Sequence, residues 1–253
     1  MVDTYSPGIE YYANRILTGE PFSFLKYGDG EMRLIIPDMP MNPRLLSKWF
    51  PPKKFYAEPL RGCPVDENFI FALWRQDFFK KARRAREYEG WLKKNVPDGV
   101  VFHDGAVWMD ALVSGRLYPI IEAIRLQSRP VIIVGPERLR HLGRLTGWNI
   151  ERHIFTHPLA AWEHLKFTEE EIRGIVKPAL FVFAAGPIKL LIHSLWSSIG
   201  HHSTMIDFGS VLDPLCGFCT RQGFWNLTLG TLRRNLGWET NRAYWGSLES
   251  ERM

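Results

Sequence analysis

Asp29-Gly30-Glu31 places two carboxylates two residues apart across a glycine. On a tight turn such a pair can face one side and share a divalent cation. Hard carboxylate oxygens suit Mg²⁺ or Mn²⁺, with a phosphate-bearing ligand completing the shell. Gly28 and Gly30 lack side chains and let the backbone come close to a diphosphate. The same triplet also reads as an ordinary acidic turn in which Glu31 caps the next helix. Two further groups could do chemistry. His103-Asp104 offers a general base for a hydroxyl, or else a hydrogen-bonded pair at a strand end. Trp108 could stack on a sugar ring or pack in the core. Cys216 and Cys219 have CxxC spacing, but Cys63 and scattered histidines are the only further soft ligands, which favours plain thiols over zinc or redox use.

These groups matter only if the fold brings them together. Short apolar runs predict strands at 22–26, 100–103, 131–134 and 180–184, with weaker ones at 153–155 and 204–207. Runs without alternation suit strands buried on both faces of a parallel sheet. Between them, Phe71, Trp74, Phe78, Ala82 and Ala85 keep helical spacing. A helix is expected over 188–197 behind Pro187, and another from an N-cap at Thr168 to about Val176. Strand alternating with helix predicts a Rossmann-like, doubly wound, mostly parallel α/β sheet. Its ligands then sit at the strands' carboxyl ends. The exits there carry Gly28-Asp29, Gly135, Gly186-Pro187 and Asp207 with Asp213 beyond it, which should crowd one crevice.

A single domain spanning 1–253 fits this length for an α/β fold. Seven prolines make 37–64 a largely loop region. No apolar stretch is long enough for a membrane span, and the start lacks a basic-then-apolar leader, so a cytoplasmic protein is expected. The net charge of +5 is uneven: eight basic residues against three acidic ones lie within 75–94, a face that suits solvent or a polyanionic partner. Asp207-Phe208-Gly209 is no kinase signature, because the other kinase segments are missing.

Lys-Tyr-Gly-Asp-Gly-Glu at 26–31 resembles the Arg-Phe-Gly-Asp-Gly-Glu signature of the GT-D-type glycosyltransferases, a bacterial family with a Rossmann-like fold and a D-x-E metal motif. The likeness continues in order through the strand ending at Gly135-Pro136-Glu137, the Gly186-Pro187 segment and Ile206-Asp207-Phe208-Gly209 up to Asp213. Lys26 stands where the family has arginine, and Ser210 where it has histidine. The segment 214–253 diverges most.

The resemblance implies a nucleotide-sugar-dependent hexosyltransferase. Asp29 and Glu31 would hold Mn²⁺ or Mg²⁺ and, through it, the diphosphate of a donor such as a UDP-sugar. Lys26, Tyr27, Gly28 and Gly30 would line that pocket. Gly135, Gly186 and the start of the helix behind Pro187 would add backbone N–H groups, Lys189 would add charge, and Asp207 and Asp213 would meet sugar hydroxyls. His103 or Asp104, placed at a strand exit on the same crevice, could be the base, and the resemblance puts Trp162 at the border of the nucleoside. The acceptor is expected to be a glycan or glycoprotein, with hydroxymethylated phage DNA suggested by the basic segment. The competing class is a non-catalytic nucleic-acid or polyanion binder on an α/β scaffold.

Overall fold

In the computed structural model of the chain, which describes residues 4–35, 53–73, 85–157 and 161–238, eight strands form one sheet in which every pairing is parallel. The strands are β1 (Thr4–Tyr5), β2 (Ser23–Tyr27), β3 (Phe69–Leu73), β4 (Phe102–Asp104), β5 (Val131–Gly135), β6 (Ile150–Phe155), β7 (Leu180–Phe183) and β8 (Thr204–Asp207). Their spatial order is β1-β4-β3-β2-β8-β7-β5-β6. Such a sheet is covered on both sides, and the strand residues divide accordingly. Leu25, Tyr27, Phe71, Ile132, Val134, Phe181, Phe183 and Met205 join one buried cluster. Their chain neighbours Phe24, Ile70, Ala72, Val131, Ile133, Leu180, Val182 and Ile206 join the other. Two buried faces explain why the strands read as continuous apolar runs.

Helices α1 (Ile9–Leu17), α5 (Val107–Ser114), α6 (Tyr118–Leu126) and α7 (Leu142–Thr146) cover the second face through residues such as Tyr12, Trp108, Ile121 and Leu142. The first face is covered by α2 (Asp29–Ile35), α3 (Lys53–Arg61), α4 (Ala85–Asn95), α8 (Leu165–Arg173) and the segment 186–200, which contains α9 (Leu191–Leu195). A short α10 (Leu229–Asn235) closes the described chain, with Thr228 accepting from the Thr231 N–H as its N-cap. No helix among the described residues is long and apolar enough to cross a membrane.

Four expectations are corrected. Phe71 lies in β3, between β2 and β4, instead of on a helix. Phe-Ile-Phe-Ala-Leu is buried throughout, and a short run with no polar face carries no period to tell strand from helix. Trp74, Phe78 and Ala82 lie outside the described residues. The helix predicted to start at Thr168 begins at Leu165, and Thr168 is fully buried inside it. The helix behind Pro187 opens as a 3₁₀ turn over Gly186–Leu190, then runs as α9. Part of the proline-rich region is also helical. Lys53–Arg61 carries Pro59 within the helix, because Tyr56, Ala57 and Leu60 gain enough by burial to outweigh the lost backbone bond. Residues 36–52 lie outside the described set.

Candidate functional site

Neighbouring strands send their following segments to opposite faces at the carboxyl edge. After β2 and β7 the chain turns onto the first face; after β8, with Val211 and Leu212, it turns onto the second. That divergence opens a crevice over the end of β8, where an α/β sheet of this kind binds its ligands.

Glu31 holds both roles that its spacing allowed. Gly28 is the N-cap of α2, and its N–H donates to Glu31 Oε2 at 2.8 Å, the reach-back half of a capping box. The other oxygen, Oε1, lies 2.7 Å from Lys189 Nζ. Lys189 is carried there by the turn after β7, in which Gly186 has φ of 55°. Its ammonium also lies 3.5 Å from Asp207 Oδ2 and faces the Tyr27 ring at 5.8 Å. Asp207, at the end of β8, is 1% exposed; its Oδ1 accepts from the Gly209 N–H at 2.8 Å, while Oδ2 has only the looser ion pair. Burial works against the charge on both Glu31 and Lys189, and their mutual attraction overcomes it. The Glu31 carboxyl is held down at about 2, chiefly by the Lys189 ammonium, and the Lys189 ammonium is held above its ordinary range by Glu31 and Asp207.

Lys26 enters from the other side. It is half-buried, and its Nζ donates to the Phe208 carbonyl at 3.4 Å. Two glycines make room for it. A Cβ on Gly209, whose φ is 59°, would stand 3.0 Å from Nζ, and one on Gly105 would meet its Cγ at 3.2 Å and the Leu73 carbonyl at 3.0 Å. Burial, with the positive charges of Lys189 and Arg221, pulls its pKa down to about 8 against the pull of Asp207 and Glu31. Arg221 is exposed and donates from Nε to Ser210 Oγ at 2.6 Å. Among the described side chains, three cations (Lys26, Lys189, Arg221) thus share the crevice with two carboxylates (Glu31, Asp207), and that balance favours an anion with several oxygens. Arg221 belongs to the divergent segment, and no pattern in the sequence points to it.

The remaining candidates are placed less centrally. Asp29 opens α2, but its side chain lies outside the described residues. Gly30 lies within α2, and Tyr27 is wholly buried with its hydroxyl donating to the Tyr56 carbonyl. Gly135 is packed between Leu139 and Ala184. Asp213 is tied up: Arg138 makes two bonds to it, at 2.8 and 3.1 Å, and the Thr220 hydroxyl donates at 2.5 Å. Asp104 accepts from the Ala106 N–H and from Ser6 at the end of β4. Trp108 is fully buried between Tyr12, Phe24 and Phe208, a core position. Trp162 packs edge-on against Phe55 of α3. Among the described residues no group of His, Cys, Asp and Glu is arranged to hold a metal; Cys216 is half-buried with its thiol pushed up to about 12, and Cys219 is exposed.

His103 faces the body of the domain, with Nδ1 paired to the Tyr12 hydroxyl at 2.8 Å and Tyr5 edge-on to its ring. Burial, aided by Arg15, pulls its pKa down from 6.5 to about 4. A neutral buried imidazole of this kind stabilises the fold fully above pH 6.5, and the contribution is lost as the pH falls through 4. The thermal midpoint of the wild type should therefore drop between pH 6.5 and 4, and His103→Phe should flatten that slope. An unchanged slope would mean that the ring is not held neutral.

The chain matches no family model, and no curated protein is similar to it. Three solved structures share its fold. One is a glycosyltransferase (DUF1792) from Streptococcus sanguinis, with a TM-score of 0.59 at 17% identity over 83% of this chain and 82% of that one. The second is a selenomethionine-substituted domain of unknown function 1792, with a TM-score of 0.56 at 17% identity over 83% and 79%. The third, described as a DUF1792 domain with a distinct glycosyltransferase fold, has a TM-score of 0.55 at 18% identity over 83% and 79%. The all-parallel α/β architecture is thus that of the DUF1792 glycosyltransferase fold.

Proposed function

We propose that this chain is a glycosyltransferase that moves a hexose from a nucleoside diphosphate sugar, with UDP-sugars the first donors to test, to a hydroxyl of a glycan or glycoprotein. The observation that carries the reading is the cluster of Lys26, Lys189 and Arg221 with Glu31 and Asp207 at the carboxyl ends of β2, β7 and β8. It supplies charge and donors at the strand ends where an open α/β sheet binds its ligand, on a fold shared with a glycosyltransferase. In this mechanism the cations accept the negative charge that builds on the leaving diphosphate, and the carboxylates hold the lysines in place. Asp104 suits the base better than His103. The adjoining Gly105 abuts the Lys26 stem, whereas the imidazole is committed to Tyr12.

A divalent ion would supply a Lewis acid to the same diphosphate. The described residues do not fit one at Glu31 as arranged, because one oxygen faces an ammonium and the other a backbone N–H. The C-terminal end of the described basic segment gives a nucleic-acid acceptor no support at the crevice. Lys93, in the last turn of helix α4, lies beside Thr4 and the start of β4, at the edge away from the crevice.

A donor-hydrolysis screen over UDP-, GDP-, ADP- and dTDP-sugars tests the reading, with release of nucleoside diphosphate expected for one class. Lys26→Met combined with Arg221→Ala, which removes two of the three cations, should cut that release by about a hundredfold. Salt-dependent duplex binding with no hydrolysis of any donor would instead mark a polyanion binder. The lowered Lys26 adds a pH signature. Its charge is nearly complete at pH 7, half lost at about pH 8 and largely gone by pH 9. Diphosphate affinity by calorimetry should therefore weaken several-fold between pH 7 and 9, and a flat profile would remove Lys26 from the binding set.

A further inference from the structure

Resting on the transferase reading above, we propose that Lys189 is the chain's own counter-cation at the diphosphate end of the crevice, so that a nucleoside diphosphate binds there without a divalent metal. A carboxylate pair in a donor site repels a diphosphate unless a cation stands between them. Here that position is held by Lys189 Nζ, 2.7 Å from Glu31 and 3.5 Å from Asp207, on a side chain only 7% exposed. A metal bound to Glu31 Oε1 at about 2.1 Å, the usual Mg²⁺–oxygen distance, would stand within a few ångström of that ammonium.

The arrangement is also unevenly satisfied in a way that suits an incoming anion. The tight bond goes to Glu31, while Asp207 Oδ2 is buried with no hydrogen bond and only the longer ion pair. An ammonium has three N–H donors. Glu31 takes one of them and Asp207 makes only the longer ion pair, which leaves a donor for a phosphate oxygen. Lys26, with Nζ near the Gly209 turn, and Arg221, beside Ser210, add charge to the same crevice, so these five side chains are net positive without any bound ion. Lys189 lies on a turn that holds Pro187 in place and buries Ile188 and Leu190, which fixes its reach.

Calorimetric titration of UDP, GDP, ADP, CDP and dTDP into the full chain, in EDTA and again with Mn²⁺, tests this. For the nucleotide that binds, the wild-type affinity should differ by less than about threefold between the two media. Lys189→Met should lose about tenfold or more in EDTA and recover most of it with Mn²⁺, while Lys189→Arg keeps metal-free binding. Wild-type binding that appears only with Mn²⁺ would overturn the counter-cation and leave the transferase reading standing. Binding of no nucleotide in either medium would overturn both. Should Lys189→Met fail to fold, the wild-type comparison and Lys189→Arg still decide.

Discussion

Lys189→Met is expected to destabilise the chain by about 3 kcal/mol at neutral pH, the lower end for breaking a buried ion pair, because Glu31 keeps some contact with water. For a chain of this size that is a fall of roughly 6–12 °C in thermal midpoint. The loss is not that of one attraction. Removing the ammonium leaves a buried Asp207 and a half-buried Glu31 facing the same gap without their shared cation. Lys189→Met with Glu31→Gln should therefore recover part of the stability, which a double-mutant cycle would read as coupling. The pH dependence has a definite sign. Glu31 is depressed from 4.5 to about 2, so its stabilisation is complete above pH 4.5 and disappears as the pH falls toward 2. The gap between wild type and variant in urea unfolding should narrow over that window. A gap independent of pH would show that the pair does not hold Glu31 ionised.

Trp108→Ala should cost about 4 kcal/mol, as for a large aromatic removed from a packed core. The indole is fully buried and meets Phe24 and Phe208 at ring-centroid distances of 4.8 and 5.0 Å and Tyr12 at 4.9 Å. Phe208 follows Asp207 and accepts from Lys26, so the cavity would sit directly beneath the crevice. Urea unfolding gives the stability, and nucleotide titration below the unfolding transition gives the affinity. A core role predicts a large stability loss with affinity changed by less than about threefold. Lost affinity at unchanged stability would instead place the indole against the sugar.

These two residues show what could be read from the chain and what could not. Lys189 was legible as a charge after a strand exit, but its partners lie 158 and 18 positions away, and spacing does not say that one ammonium would stand between both carboxylates. Trp108 was legible as an aromatic near a candidate base, and which way the indole points is settled by packing on α1 and β2. His103 and Asp104 are adjacent, so a strand must aim them at opposite faces, and one becomes a partner of Tyr12 while the other stays at the strand end. Arg138 and Arg221 carried no signal. Their roles beside Asp213 and Ser210 depend on loops that meet only in the folded chain.

The sequence by itself determined the layered α/β architecture, most of the strands and the edge of the sheet where the candidate residues gather. Those features follow from apolar runs, glycine exits and helix periodicity, which are local. It did not determine β3 as a strand, because five buried residues with no polar face carry no period, nor the helix around Pro59, because tertiary burial outweighs a local preference. The charge balance of the crevice was decided only by tertiary structure. Burial and distance set whether Glu31 faces an ammonium, an N–H or both, and neither quantity exists until β2, β7 and β8 lie side by side.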